Sequence, residues 1–198
     1  MRSQGVRTAA ALAAFAAVLG AAAPAQATLA FGTAPKLPTL PAVTINGKSQ
    51  TINATMASFS VTTTETAGWN VTVQGQTGTG KSAVFAQYCA AAKCGTEAEG
   101  YTPSGFSLPA DSLKLSTTGA KVAGGTGTTP SLECATACNV DSATAVKILS
   151  APTTAKGTWT ASGFSTSSLQ LAIPTTLRAL AASQVYRVNI LWTLSTGP

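Results

Sequence analysis

The octapeptide Gly75-Gln76-Thr77-Gly78-Thr79-Gly80-Lys81-Ser82 matches the phosphate-loop pattern G-x-x-x-x-G-K-[ST] at every position. In such a loop, backbone N–H groups cradle phosphates, the lysine meets the terminal phosphates and the hydroxyl meets magnesium. The flanks agree with that reading: Trp69 to Gln74 alternates like a strand, and Ala83 to Ala92 is compatible with a helix. The partner a metal would need is missing. No apolar run ends in an aspartate, since Asp111 follows Leu-Pro-Ala and Asp141 follows Cys-Asn-Val. The rest of the chain alternates instead of showing the continuous apolar strands of a buried parallel sheet. The expectation is a Gly/Thr hairpin loop with Lys81 as a solvated cation.

Other chemistry is scarcer still. The chain has no histidine, which excludes Ser-His-Asp and Cys-His catalysis and any imidazole-bound metal. Only six carboxylates are present; Glu97 and Glu99 stand close together, but in a Gly-containing stretch where acids are solvated. Charged residues make up 9 % of the chain, against roughly a quarter in an ordinary domain. These counts predict no catalytic residue, no metal and no cofactor, and hence a protein that is not an enzyme. The balance of charge is positive, with 12 Lys plus Arg against six acids.

The N-terminus carries an export signal. Arg2 and Arg7 precede the apolar run Ala9 to Gly20, and Ala25-Gln26-Ala27 is a small-residue cleavage site. This is the pattern of a secretory signal peptide over residues 1–27, the alternative being an uncleaved anchor. Removing it would lower the formal charge of +6 by two. No later run approaches the ~20 apolar residues of a membrane span, so none is expected after cleavage. Export also explains the cysteines. Cys89 and Cys94, then Cys134 and Cys138, make an even set in a secreted chain, which implies disulfides. Three connectivities are open, of which the two local pairs, Cys89–Cys94 and Cys134–Cys138, are favoured. The x4 and x3 spacings depart from the paired C-x2-C of a four-cysteine zinc site.

The elements that must position these residues are strands. From Thr28 onward the chain contains 31 threonines, and β-branching favours extended backbone. Alternation recurs at 50–56, 58–62, 69–74, 113–115, 146–148, around Trp159, at 169–173 and at 186–194. It is broken by Gly and Pro every 8–15 residues. Asn46-Gly47 is a hairpin dipeptide between Val43-Thr44-Ile45 and the strand that follows. Residues 28–42, punctuated by Pro35, Pro38 and Pro41, read as an irregular lead-in or edge segment. Thr117 to Thr129 reads as a mobile Gly/Thr loop. The pattern predicts an all-β, immunoglobulin-like antiparallel β-sandwich, a single domain over 28–198. At most two short helices are expected, at Ser82–Ala92 and Thr175–Ala182.

Two segments resemble a known family. Residues 41–74 combine a strand, an Asn-Gly turn, a strand and a Gly68-Trp69-Asn70-Val71-Thr72 block. Leu169 to Pro174, and then Val185 to Pro198 with Trp192-Thr193-Leu194, look like its ending; Leu108-Pro109-Ala110 also looks similar. Together they resemble WxL-domain surface proteins, with the likeness thin from about 75 to 155. The resemblance implies a secreted protein held non-covalently at a Gram-positive-type cell wall, with peptidoglycan or an attached wall polymer as partner. No nucleic acid is expected. The alternative is a structural or adhesive subunit of a surface assembly that binds other surface proteins. The candidate binding residues are Trp69, Trp159, Trp192 and Leu194. Trp69 and Trp192 lie on apolar faces of their strands and fit a core better than a contact, whereas Trp159, between threonines, is expected to be the more exposed.

Overall fold

The computed structural model of the chain describes residues 27–197, so the expected signal segment lies, apart from Ala27, outside the described residues. The chain runs through β1 (Leu29–Thr33), β2 (Gln50–Ala54), β3 (Phe59–Thr63) and β4 (Trp69–Gly75). It continues through β5 (Ala86–Cys94), β6 (Glu97–Tyr101), β7 (Leu113–Leu115), β8 (Lys121–Thr126) and the short β9 (Ser131–Leu132) and β10 (Cys138–Asn139). Last come β11 (Val146–Ala151), β12 (Lys156–Ser162), β13 (Leu169–Ile173), β14 (Gln184–Arg187) and β15 (Ile190–Thr196). Every pairing is antiparallel, and no helix occurs among the described residues. The all-β antiparallel sandwich expected from the alternation is the fold of this chain.

Two four-stranded sheets, β1-β3-β12-β8 and β15-β4-β11-β9, make the central sandwich. β1 packs against β15 and β8 against β9, so the edges of the two sheets coincide. Phe59, Val61, Trp159 and Ala161 fill the gap from one side, and Trp69, Val71 and Val73 fill it from the other. Fully burying an aliphatic or aromatic side chain contributes roughly 1.5–3 kcal/mol. This alternating set therefore fixes which face of each strand points inward. A third sheet, β10-β7-β13-β2, extends the core with Leu113, Leu115, Leu169 and Leu171. The fourth sheet is β14-β5-β6.

Several local expectations are corrected. Residues 82–92 do not form a helix: the buried residues Phe85, Gln87 and Cys89 alternate with more accessible neighbours, and tertiary burial overrides the helix propensity of the alanines. Thr175–Ala182 holds a turn and irregular chain, also without helix. The stretch 186–194 is not one strand. It divides at Val188-Asn189 into β14 and β15, which belong to different sheets. Asn46-Gly47 does turn, with Gly47 at φ 72° and Asn46 Oδ1 accepting from the Lys48 N–H at 3.0 Å. The strand after it nevertheless pairs with β13 and not with 43–45.

The expected Gly/Thr loop over 117–129 contains a strand, β8, paired to β12. Its glycines have a steric reason. A Cβ at Gly125, where φ is +54°, would run into the Trp159 indole, so β8 covers that ring as a bare backbone.

Candidate functional site

The four residues proposed as contacts fall into two groups. Trp69 is fully buried and Trp159 is 3 % exposed. Both are core, and Trp159 corrects the expectation of exposure because β8 lies over it. Their indole N–H groups have no hydrogen-bond partner. Trp192 and Leu194 are half-buried on edge strand β15, opposite Val73 and Val71 of β4. They share the inward face of that pairing, with Trp192 6.3 Å from Phe59 between ring centroids. None of the three indoles is exposed: two are buried and that of Trp192 is half-buried.

The loop bearing the phosphate-binding pattern leads from β4 into β5, a strand, so the helix N-terminus such a site requires is not formed there. Gly75 is needed for a close approach of two chain segments, since a Cβ there would overlap the Ala83 backbone. Gly80, at φ 69°, and the Lys81 N–H donating to Gly78 O at 3.0 Å make a tight turn. The Ser82 hydroxyl donates to Val84 O at 2.7 Å and is engaged in holding its own loop. Lys81 is exposed.

That loop is tied to Asn189, the residue between β14 and β15. Asn189 N–H donates to Ser82 O, and its carbonyl accepts from Gln76 N–H at 2.7 Å. Its side-chain Oδ1 accepts from Ser82 N–H at 3.2 Å and from the Tyr101 hydroxyl at 2.6 Å. Tyr101 belongs to the most distinctive surface of the molecule, one face of the β14-β5-β6 sheet.

Register builds this face. Tyr88 stands opposite Val185 on one side and Tyr101 on the other, so three strands contribute one continuous row. The Tyr88 and Tyr101 rings meet edge to face with centroids 5.1 Å apart, a favoured aromatic geometry. Arg187, diagonal to Tyr88 across the pair, lays its guanidinium 4.4 Å from the centroid of the Tyr88 ring. Val185 is 45 % exposed, an unusual degree for a large apolar side chain in a strand. Burial pushes the Tyr101 hydroxyl above its ordinary pKa of 10.0; the Arg187 charge opposes that shift and Tyr88 adds to it. Tyr101 is therefore a neutral donor at physiological pH, locked onto Asn189. The opposite face of the same sheet buries Gln87 and Cys89.

Both local disulfides expected from spacing are formed, Cys89–Cys94 and Cys134–Cys138. The first serves the platform directly. Between Cys89 and Lys93 the register of β5 against β6 shifts, and the Cys89–Cys94 bridge closes that bulge one residue beyond Tyr88.

The Leu108-Pro109-Ala110 and Ile173-Pro174 blocks are also brought together, around a shallow depression of about 450 Å³ that includes Asp111. The neighbouring Asp141 is fully buried and accepts backbone N–H bonds from Ser112 at 3.1 Å and Leu113 at 2.9 Å. Its carboxylate is structural. Among the described residues no group of three or more His, Cys, Asp or Glu side chains is placed to hold a metal ion. No described helix is long and apolar enough to cross a membrane. Comparison with protein-family models, with curated proteins and with solved structures gives no match.

Sequence reasoning missed Tyr88, Tyr101 and Arg187. The available signal was the alternation of Phe85, Gln87 and Cys89 with Ala86 and Tyr88, which marks a strand with an aromatic on its outer face.

Proposed function

We propose that this chain is an exported, non-catalytic module that attaches non-covalently to an anionic cell-wall polymer, peptidoglycan or a polymer linked to it. The Tyr88–Tyr101–Arg187 face is its contact surface. One observation carries this reading: two half-buried tyrosine rings packed edge to face on one face of the β14-β5-β6 sheet, beside the exposed Val185 and with the exposed Arg187 stacked on Tyr88. Aromatic faces suit the C–H faces of sugar rings, and a guanidinium suits carboxylate or phosphate through paired N–H donors. Such a platform is pre-organised, because the Tyr101–Asn189 bond and the Cys89–Cys94 bridge fix it before ligand arrives. The secretory leader pattern, the positive charge balance and the resemblance to WxL-domain surface proteins point the same way.

The test is sedimentation with purified wall material stripped of protein, in buffer at physiological ionic strength. The native chain is expected to co-sediment, and Tyr88→Ala to weaken binding about tenfold, the equivalent of about 1.4 kcal/mol. Binding that disappears in moderate salt reduces to diffuse charge attraction and refutes a specific site. A chain that ignores bare wall and instead pairs with another surface protein would establish a role as an assembly subunit.

A further inference from the structure

Opposite charges meet at the Tyr88 ring. Arg187 of β14 lies over its face, and Glu99 of β6 meets its hydroxyl, with 3.4 Å between the Tyr88 oxygen and Glu99 Oε1. β14 and β6 flank β5 on opposite sides, so the cation and the anion reach the ring from opposite strands. Both charged side chains are exposed, and Tyr88 between them is half-buried. Both keep bonding capacity. Stacking engages the flat face of the guanidinium and leaves its in-plane N–H donors for an anion. A 3.4 Å contact is long for O–H···O, and a carboxylate has about four acceptor positions, so Glu99 retains most of its own. The other acid of this strand, Glu97, accepts instead from the Thr102 hydroxyl.

A purely anionic polymer accounts for Arg187 and not for Glu99. Beside a phosphate or carboxylate Glu99 would repel the ligand, and like charges brought together at a contact are costly. The pair suits a ligand that carries both signs close together, an anion for the guanidinium and a primary ammonium for the carboxylate. An ammonium offers three donors from a compact centre, which a single exposed carboxylate can meet. Wall material presents that combination in two chemical forms. One is an amino-acyl ester on a phosphate polymer, and the other is the free amine of a peptide stem beside its carboxylates.

We propose that, given the wall-binding reading on which this rests, the Tyr88 face selects a zwitterionic unit of the wall polymer, its phosphate or carboxylate at Arg187 and its primary ammonium at Glu99. The test is quantitative co-sedimentation with protein-stripped wall at physiological ionic strength. Glu99→Lys makes the chain more cationic, so diffuse attraction to an anionic wall would tighten binding. A bound ammonium requires the opposite, a loss of about tenfold. Glu99→Gln keeps an acceptor for the Tyr88 hydroxyl and is expected to bind about threefold more weakly. Acetylating the wall amines should weaken native binding and bring native and Glu99→Gln to equal affinity. Mild alkali, which removes ester-linked amino acids, and hydrofluoric acid, which removes phosphate polymers, distinguish the two sources. Loss of binding after alkali places the ammonium on the ester, and retention after both treatments places it on the peptide stem. Glu99→Lys binding as tightly as the native chain, or acetylation without effect, overturns the proposal. If Tyr88→Ala still weakens binding in that case, the wall-binding reading stands. A native chain that does not co-sediment at all overturns both.

Discussion

Replacing Asp141 by Ala should destabilise the fold more than any surface change, for a reason that can be worked from two hydrogen bonds. Its carboxylate oxygens accept from the Ser112 and Leu113 N–H groups at the start of β7, and Ser112, Leu113 and Asp141 are all buried. Alanine leaves both donors without partners. An unsatisfied buried donor costs about 1–3 kcal/mol, so the expected loss for two is about 2–6 kcal/mol, measured by urea denaturation at pH 7. Asp141→Asn keeps one acceptor oxygen and should cost about half as much. The pH dependence follows from the direction of the shift. Burial raises the carboxyl above its ordinary 3.8, outweighing the N–H bonds that favour the anion, and Asp111 adds to the rise. The folded state thus binds the proton more tightly than the unfolded chain does. The associated stabilisation is complete below the unfolded value and fades as pH rises through the folded one. The deficit of Asp141→Asn relative to the native chain should therefore widen as pH is lowered towards 4. A deficit that narrows there, or Asp141→Ala unfolding within 0.5 kcal/mol of native, refutes this account.

Two further outcomes are expected. Gly125→Ala places a methyl group against the Trp159 indole at a backbone φ of +54°, and overpacking with strain should cost at least about 2 kcal/mol in the same denaturation assay. Lys81→Ala should change stability by no more than about 0.5 kcal/mol, as at an ordinary surface position. Millimolar nucleotide with magnesium should give no thermal shift, whereas a ligand at 100 times its dissociation constant would stabilise by about 2.7 kcal/mol.

Most strands were legible because inward-facing residues recur at period two. Phe59 and Val61, Trp69, Val71 and Val73, and Leu169, Leu171 and Ile173 are buried in the positions that alternation assigns. Three failures share a cause. In 117–129 small residues leave no hydrophobic pattern to read, and in 82–92 the short alternation through Phe85, Gln87 and Cys89 is outweighed by the helix-favouring alanines around it; each strand exists because a distant partner supplies it: β14 and β6 for β5, and β12 for β8. At 186–194 the alternation is real, but a change of sheet at Asn189 is invisible to it. That change depends on bonds to Ser82, Gln76 and Tyr101, all of them about ninety residues or more away.

The candidate site illustrates why aromatic residues are easier to count than to place. Tryptophan was the natural choice for stacking on sugar, yet Trp69 and Trp159 are the rings the sandwich most needs for filling volume. Tyrosine is better suited to the surface, since its hydroxyl can anchor one end while the ring stays accessible, as Tyr101 does on Asn189. The row Val185–Tyr88–Tyr101 requires β14, β5 and β6 to meet in one register, and residue spacing does not encode that meeting. The local disulfide was predictable, and its position matters for that register: it closes the β5 bulge immediately after Tyr88. A strand bulge left open would let the Tyr88–Tyr101 pairing slip, and a one-residue slip sends a side chain to the opposite face. The bridge, whose loop is too short to add much global stability, is thus placed where it constrains the geometry of the proposed contact face.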